Sequence, residues 1–423
     1  MSALNRAVED GQVARVAADL RRRIPALLEE HRLPGMAIGI CDPTSMLWSA
    51  GFGTTRAGGG EPITADTMFG VQSCSKMYTA TAVLLAVQQG LVELDVPITR
   101  YLPEFRVNSS FEDHPERRIT LRHLLSHTAG FTHEAPVGSN YLVGRESFQA
   151  HCDSIAETWL RFRVGDRYEY SNLGVDLAGY ILQRCSGQPF HEFVRRVLLA
   201  PLGTKQATFD SRAIMRDPGR AIGHAAGMAR VPVRVPMVAA GGLYTSVNDA
   251  CRYLQMHLTK SLVDPTLLAE MYQVPGDRDE GYGLGIALAQ AGDVPVRGHG
   301  GGGFGFLADI YWAPQTELGV VVLTNSSSHP LQWQLASGIF RDLVPAFPPD
   351  GPWNRDYVIR ANGVPDGTAR LRKENGLLYL DHWHGGTVRL HEHRPGLYVS
   401  ENGEMLDLTR TPPTYANVRL HQH

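Results

Sequence analysis

The stretch MFGVQSCSKMYTA, residues 68–80, opens a helical pattern that runs from Ser73 to about Gln89, with Gly90 as a natural stop. Within it Ser73 and Lys76 stand three apart, so on a helix their Cβ atoms lie roughly 5–6 Å from each other on one face. A serine hydroxyl is a poor nucleophile until a neighbouring base takes its proton. A buried lysine meets that need when desolvation lowers its pKa, each unit being about 1.36 kcal/mol between the two charge states. Ser73 at a helix amino terminus also offers a backbone N–H to a developing oxyanion. Ser-x-x-Lys is common by chance. Here, however, lysine occurs only at 76, 205, 260 and 373, and only Lys76 has a serine three residues before it.

Outward from this helix, MAIGIC (36–41) and MLWSAGFG (46–53) read as strands joined by a turn at Asp42-Pro43. Before them, Val13, Val16, Ala17, Leu20, Ile24, Leu27 and Leu28 give a helix one apolar face, which Pro25 is expected to kink or restart. The middle of the chain, to about 260, reads as helices and long loops. GFGFLADIYW (303–312) and LGVVVLTN (318–325) then read as a hairpin, followed by a helix from Pro330 to about Val344. Strands at both ends of this region and helices between them predict an α+β domain over 1–344, with one antiparallel sheet and a helical subdomain beside it. The Pro-rich stretch PAFPPDGP (345–352) reads as a linker. Beyond it, Asn-Gly pairs at 362–363, 375–376 and 402–403, with Gly385-Gly386, predict a small antiparallel sheet or barrel over 353–423.

Two further stretches could carry chemistry. In Tyr168-Glu169-Tyr170-Ser171-Asn172, Tyr170 offers a phenol that could act as a base beside cations, and Asn172 an amide that both donates and accepts. A packed loop tyrosine and a helix-capping asparagine are the plainer reading of the same residues. In the run from Gly298 through His299 to Gly303, glycines on an edge strand let a substrate backbone approach closely. That run formally matches GxGxxG, but a dinucleotide site needs a helix after it and a strand-like segment follows instead. Neither a Gly-x-Ser-x-Gly elbow nor a Walker loop occurs.

Composition narrows the partners. Of 423 residues 43% are hydrophobic and 20% charged, ordinary for a folded chain, and the net charge of −3 gives no excess for a phosphate backbone. Nucleic acid is not an expected partner. Five scattered cysteines, odd in number and without a CxxC pair, argue against a disulfide framework or a cysteine zinc site and favour a reducing compartment. With no signal-like start and no run of 18 apolar residues, a cytoplasmic protein without a membrane span is expected.

SxxK, YxN and HGG in that order, about a hundred residues apart, resemble the class C β-lactamase and penicillin-binding-protein-like serine hydrolases. GLVELDVPITRYLPEF, ITLRHLLSHTAGF, YSNLGVDLAGYIL and AAGGLYTSVNDACRYL add to the resemblance, which covers roughly residues 10–345. It implies a cofactor-free serine hydrolase with Ser73 as acyl-forming nucleophile and Lys76 as its activating partner. Tyr170 would be the base that also returns the proton to the leaving group. Asn172 would hold a substrate amide or carbonyl, and the N–H groups of Ser73 and Gly302, with Gly301 beside them, would form the oxyanion hole. His299 stands where many relatives have lysine, a permanent cation suited to a carboxylate, whereas histidine is largely neutral near pH 7. The departure favours amide or ester bonds of peptide-like or D-amino-acid substrates over β-lactams. Relatives with an appended lipocalin-like β domain use it to shape the cleft, so Arg419 or Arg410 could clamp a carboxylate. An acyltransferase or peptide-cyclising thioesterase stays open, as does a catalytically silent binding protein. The partner expected is a small or peptide-like substrate, and no metal is expected.

Other candidates have plainer readings. His127 in LLSHTAGF reads as packing or loop bracing, and Cys74 and Ser75 as small core residues. If Gly385-Gly386 were a two-residue turn, His384 would face residue 387 and residue 380 would face His391. That register would put His382, His384, His391 and His393 on one sheet face, a solvated polar face more readily than a metal site.

Overall fold

The computed structural model describes residues 3–138, 146–226, 228, 231–274, 281–292, 294–344, 355–361, 364–374, 377–381, 386–394, 397–400, 404–407, 414–415 and 418–422. The chain divides into two compact units, Met1–Ala291 with Pro295–Leu343, and Gly292–Val294 with Val344–His423.

In the first unit six strands form one sheet: β1 (Gly35–Cys41), β2 (Met46–Gly53), β3 (Ala287–Ala291), β4 (Val294–Gly303), β5 (Phe306–Ala313) and β6 (Leu318–Thr324). Their order is β2-β1-β6-β5-β4-β3. The antiparallel pairing of β1 with β6, Met36 opposite Thr324, joins the two ends of the unit into one sheet, as expected. β1 and β6 are buried along their whole length because helices cover both faces. On one face lie α1 (Ala3–Glu30) and, further along the chain, a helix over Leu331–Leu343. On the other lies a helix over Val247–Thr259, which seats on Gly39 and stacks its Tyr253 on Tyr78 of α2 (Ser75–Gln88). A Cβ at Gly39 would stand 2.3 Å from Val247 Cγ1. The helix α3 (Asn172–Ser186) packs against α2 and ends at Gly187, whose φ of +66° suits a left-handed cap. With α4 (Val247–Thr259) and α5 (Leu331–Leu343) these complete the helices used below.

Two local expectations are corrected. The segment 303–312 is not one strand. Phe304 and Gly305 both have positive φ, +46° and +75°, and Gly303 pairs with Phe306, so a two-residue turn of the I′ kind separates β4 from β5. The glycine run is therefore itself a strand, as expected, although β3 and not β4 is the outermost strand of the sheet. α1 also continues through Pro25, so no new helix starts there. Proline removes only the hydrogen bond to the carbonyl of Arg21, and both residues lie on the exposed side, where water can serve that oxygen.

In the second unit eight strands close into an antiparallel barrel: β7 (Arg355–Ala361), β8 (Val364–Glu374), β9 (Leu377–Asp381), β10 (Thr387–Arg394), β11 (Leu397–Ser400), β12 (Met405–Asp407), β13 (Thr414–Tyr415) and β14 (Val418–Gln422), with β7 and β8 closing the ring. Ala361 pairs with Val364 and Glu374 with Leu377, while the Asn-Gly pairs themselves lie outside the described residues. Ala369, Leu371, Leu380 and Leu406 are fully buried in this unit. The register expected at Gly385-Gly386 is wrong. Asp381 pairs with Thr387, so Leu380 faces Val388 and not His391, and the geometric case for a shared histidine face lapses. His382 and His384 lie outside the described residues, and His391 and His393 are exposed. Among the described residues no group of three or more His, Cys, Asp or Glu side chains is arranged to hold a metal ion. Arg419 pairs with Thr414 on β14, and Arg410 lies outside the described residues. The five cysteines carry free thiols. No helix among the described residues is long and apolar enough to cross a membrane.

Candidate active site

Ser73 sits in a 3₁₀ turn, Gln72–Cys74, that leads directly into α2. Gln72 adopts a φ of +48°, rare for a residue with a side chain, and the strain marks a tightly determined bend ahead of the serine. α2 is buried from Ser75 to Ala86, which explains why its sequence shows no polar face. Lys76, one turn on, is fully buried and its Nζ lies 3.1 Å from Ser73 Oγ, 2.8 Å from Asn172 Oδ1 and 3.0 Å from the carbonyl oxygen of Ala240. Burial disfavours the ammonium and lowers the Lys76 pKa to about 7, although Asp176, Cys74 and Glu134 pull the other way. The amide and carbonyl oxygens only accept. Once the amine is neutral its two N–H bonds serve them, and its lone pair is left for Ser73 Oγ. The arrangement therefore suits a base aimed at a hydroxyl.

Tyr170 approaches from the loop before α3. Its phenol is hydrogen-bonded to the Ser73 side chain, and its ring centroid is 4.8 Å from Lys76 Nζ. Burial pushes its pKa above the ordinary phenol value, so it stands at neutral pH as a phenol. His127 holds this loop in the bracing position expected. Its carbonyl accepts from Glu169 N at 2.9 Å and its Nδ1 from Ser171 N at 3.3 Å, gripping the residues on either side of Tyr170. Its ring centroid lies 4.4 Å from that of Tyr170, and desolvation keeps the imidazole neutral. Asn172, the first residue of α3, spans the site: Oδ1 accepts from Lys76 and Nδ2 donates to Glu134 Oε1 at 3.0 Å.

β4 supplies the opposite wall. Gly301 brings it against the 3₁₀ turn: a Cβ there would stand 2.1 Å from Val71 O and 3.2 Å from Ser73 N. Gly302 tolerates more, since its Cβ would meet only Leu307 Cδ2, at 3.1 Å. Cys74 Sγ bonds to the His299 carbonyl at 3.0 Å and so ties the start of α2 to the same strand, a packing role. The His299 imidazole is committed on both sides. Nδ1 faces the Gly300 carbonyl at 2.5 Å and must donate, so Nε2 accepts from the Tyr282 hydroxyl at 2.9 Å. Desolvation, with Lys76 nearby, drops its pKa to about 3, so it presents no cation.

Sequence reasoning missed four contributors. Glu134 and the Ala240 carbonyl bond Asn172 and Lys76, and neither stands in a motif with an evident chemical signature. Tyr282 could have been found. It stands between Gly281 (φ +59°) and Gly283, and Cβ atoms at those glycines would lie 2.7 Å from Leu288 O and 2.1 Å from Met271 O. Its ring lies among His127, Tyr168, Tyr170 and His299 at centroid distances of 4.7–6.3 Å. Asp176, fully buried beneath the site on α3, is the fourth.

Comparison with known proteins identifies the family and the fold. The family model described as Beta-lactamase matches residues 20–335. Esterase EstB of Burkholderia gladioli is 30% identical over 278 residues, which cover 56% of this chain and 70% of that protein. The D-alanyl-D-alanine-carboxypeptidase/endopeptidase AmpH of Escherichia coli K12 is 25% identical over 330 residues, 73% of this chain and 84% of the relative. Among solved structures, the octameric penicillin-binding protein homologue from Pyrococcus abyssi superposes with a TM-score of 0.68 at 22% identity, covering 96% of this chain and 99% of that one. The fold is shared along nearly the whole length. With a family match over most of its sequence, the chain belongs to the Beta-lactamase family of serine hydrolases.

Proposed function

We propose that the protein hydrolyses amide or ester bonds of peptide-like or D-amino-acid substrates through a covalent acyl-Ser73 intermediate. The observation that carries this reading is the Lys76 amine, held 3.1 Å from Ser73 Oγ with its other two directions occupied by acceptors. Neutral Lys76 takes the Ser73 proton as Oγ attacks the substrate carbonyl. The N–H groups of Ser73 and Gly302 receive the negative charge on the tetrahedral oxygen. The Tyr170 phenol, bonded to Ser73, passes its proton to the departing amine or alcohol and is reprotonated from Lys76. Water, activated in reverse through the same groups, then releases the acid. Tyr170 acts here as a relay, because its burial makes a resting phenolate costly. His299 is a positioning residue that holds Tyr282.

Charge supports this choice of substrate class over one that carries a carboxylate. Neutral His299 offers a substrate carboxylate no cation, while Glu134 brings a carboxylate to Asn172, where an ammonium group would be welcome. The carboxypeptidase and esterase names of the relatives fit bonds of this kind. The test is acid-quenched mass spectrometry during turnover of D-alanine p-nitroanilide, D-alanyl p-nitrophenyl ester and nitrocefin. A D-alanyl adduct on the Ser73 peptide, absent in Ser73→Ala, is expected, with nitrocefin turned over far more slowly. An adduct elsewhere, or unchanged turnover in Ser73→Ala, would overturn the mechanism. Comparable turnover of nitrocefin would overturn the substrate preference alone. Adding a nucleophilic amine distinguishes acyl transfer, since ligated product then replaces the free acid.

A further inference from the structure

Beneath the site lies an ion pair that the reaction as written does not use. Asp176 is on α3 one turn after Asn172, so the two side chains share a helix face. Both Asp176 and His151 have fully buried side chains. Asp176 Oδ2 lies 3.1 Å from His151 Nε2, and His151 Nδ1 donates to the Val137 carbonyl at 2.6 Å. The other carboxylate oxygen, Oδ1, accepts from Ala240 N at 2.9 Å. Ala240 is the residue whose carbonyl receives Lys76 Nζ, and its neighbour Ala239 is pinned to α2 by Thr79 Oγ1 at 2.7 Å. One carboxylate thus fixes the backbone that orients the amine, while its charge lies close enough to act on that amine.

We propose that the buried His151–Asp176 pair is a positioning device for Lys76: it fixes the Ala240 carbonyl that takes one amine proton, and His151 masks a carboxylate that would otherwise hold the amine charged. Two hydrogen-bond acceptors, a carboxylate and a carbonyl, flank the imidazole, and Asp176 raises its pKa against the burial that lowers it. The pair is therefore a salt bridge of low net charge. Its worth is not stability, since buried ion pairs often break even against apolar packing. Its consequence is that Lys76 has a neutralised dipole below it in place of a bare anion. The other groups that face Lys76 are Ser73 and Cys74 on its own segment, His127 and Glu134 from the loop region before α3, Tyr170 and Asn172 at the start of α3, and His299 from β4. Of these, Glu134 is the remaining carboxylate. This inference rests on Lys76 being the base for Ser73.

The test reads the Lys76 titration directly, by ¹³C NMR of the lysine ε-methylenes. With four lysines in the chain, the signal that vanishes in Lys76→Met is assigned without ambiguity. His151→Gln leaves Asp176 unmasked and is expected to move both this titration and the acidic limb of kcat/KM upward by at least one pH unit, a tenfold loss of activity at pH 6 that recovers at alkaline pH. Asp176→Asn keeps an oxygen for Ala240 N and removes the charge, so the limb is expected to move downward. The double variant should return close to the wild type. A merely structural pair would lower kcat at every pH with the titration unmoved, and that result in Asp176→Asn, the near-isosteric change, overturns the proposal even if His151→Gln fails to fold. If the titration moves but the activity limb does not follow it, the assignment of Lys76 as base has failed and the positioning role stands.

Discussion

Replacing Lys76 with methionine is expected to lower kcat/KM roughly 10²–10⁴-fold, the range for losing a positioned base, and to remove the loss of stability that the buried amine causes as pH drops towards 7. The two effects have one cause. Methionine has nearly the shape of lysine but cannot accept the Ser73 proton, so the hydroxyl 3.1 Å away loses its activation. In stability, the buried amine works against the fold at low pH. Its folded pKa is about 7, against 10.5 for the free side chain. Between those values the unfolded chain holds a proton that the folded one does not, so stability falls as pH drops through that window. It stays low beneath the window, where folding buries the charge. The difference of 3.5 units corresponds to about 5 kcal/mol at most. Methionine removes that cost but leaves Asn172 Oδ1 and Ala240 O without a donor, at about 1–3 kcal/mol each. Urea denaturation should therefore give two stability curves that draw together as pH drops from 10 to 7, the wild type losing stability that the variant keeps. In the wild type, kcat/KM should rise with pH through about 7 as the amine loses its proton. A variant that keeps a tenth of its activity, or stability curves that never converge, would refute the lone-pair account.

What could be read in advance followed how local each feature is. The nucleophile and its base are three residues apart where a 3₁₀ turn runs into α2, so spacing alone brings them together, and scarcity of lysine singles out the pair. β1 and β2 were legible because apolar runs bounded by Pro, Asp and Gly have few other solutions, and the antiparallel pairs of the barrel because Asn-Gly is a strong hairpin signal in a sequence. The Gly385-Gly386 register failed for a related reason: glycine pairs permit a two-residue turn without requiring one. β4 was expected as an edge strand, although glycine is penalised in strands. Here it is present for what it lacks, since Gly301 must pass within van der Waals contact of the turn at Val71. The state of Tyr170 and the commitment of His299 were beyond reach, because each depends on burial and on partners such as Tyr282 that are distant in sequence. The Asp176–His151 pair was hidden in the same way. An acidic residue inside YSNLGVDLAGYIL looks like a helix-surface charge until α2 and the 238–241 segment close over it.

That account of β4 makes its glycines unequal, and the inequality is the second large expected effect. Gly301→Ala should cost at least about 10²-fold in kcat/KM together with about 1–3 kcal/mol of stability, while Gly302→Ala should stay within about tenfold of the wild type. The new methyl at 301 would stand 2.1 Å from a backbone oxygen, Val71 O, and 3.2 Å from Ser73 N. Neither atom can turn aside as a side chain can, so either β4 or the 3₁₀ turn has to give. Any such shift changes the separation between the Ser73 N–H and the N–H groups of β4 that are proposed to share the oxyanion, and a displacement near 1 Å is enough for a hundredfold loss. At 302 the methyl meets only the tip of Leu307, 3.1 Å away, which a rotamer change relieves, and alanine keeps the backbone N–H. Steady-state kinetics on a D-alanyl ester, with thermal denaturation of both variants, separates the outcomes. If the wall of the site were set by side chains and not by backbone approach, the two substitutions would behave alike, and full activity in Gly301→Ala would show that β4 does not fix the oxyanion geometry.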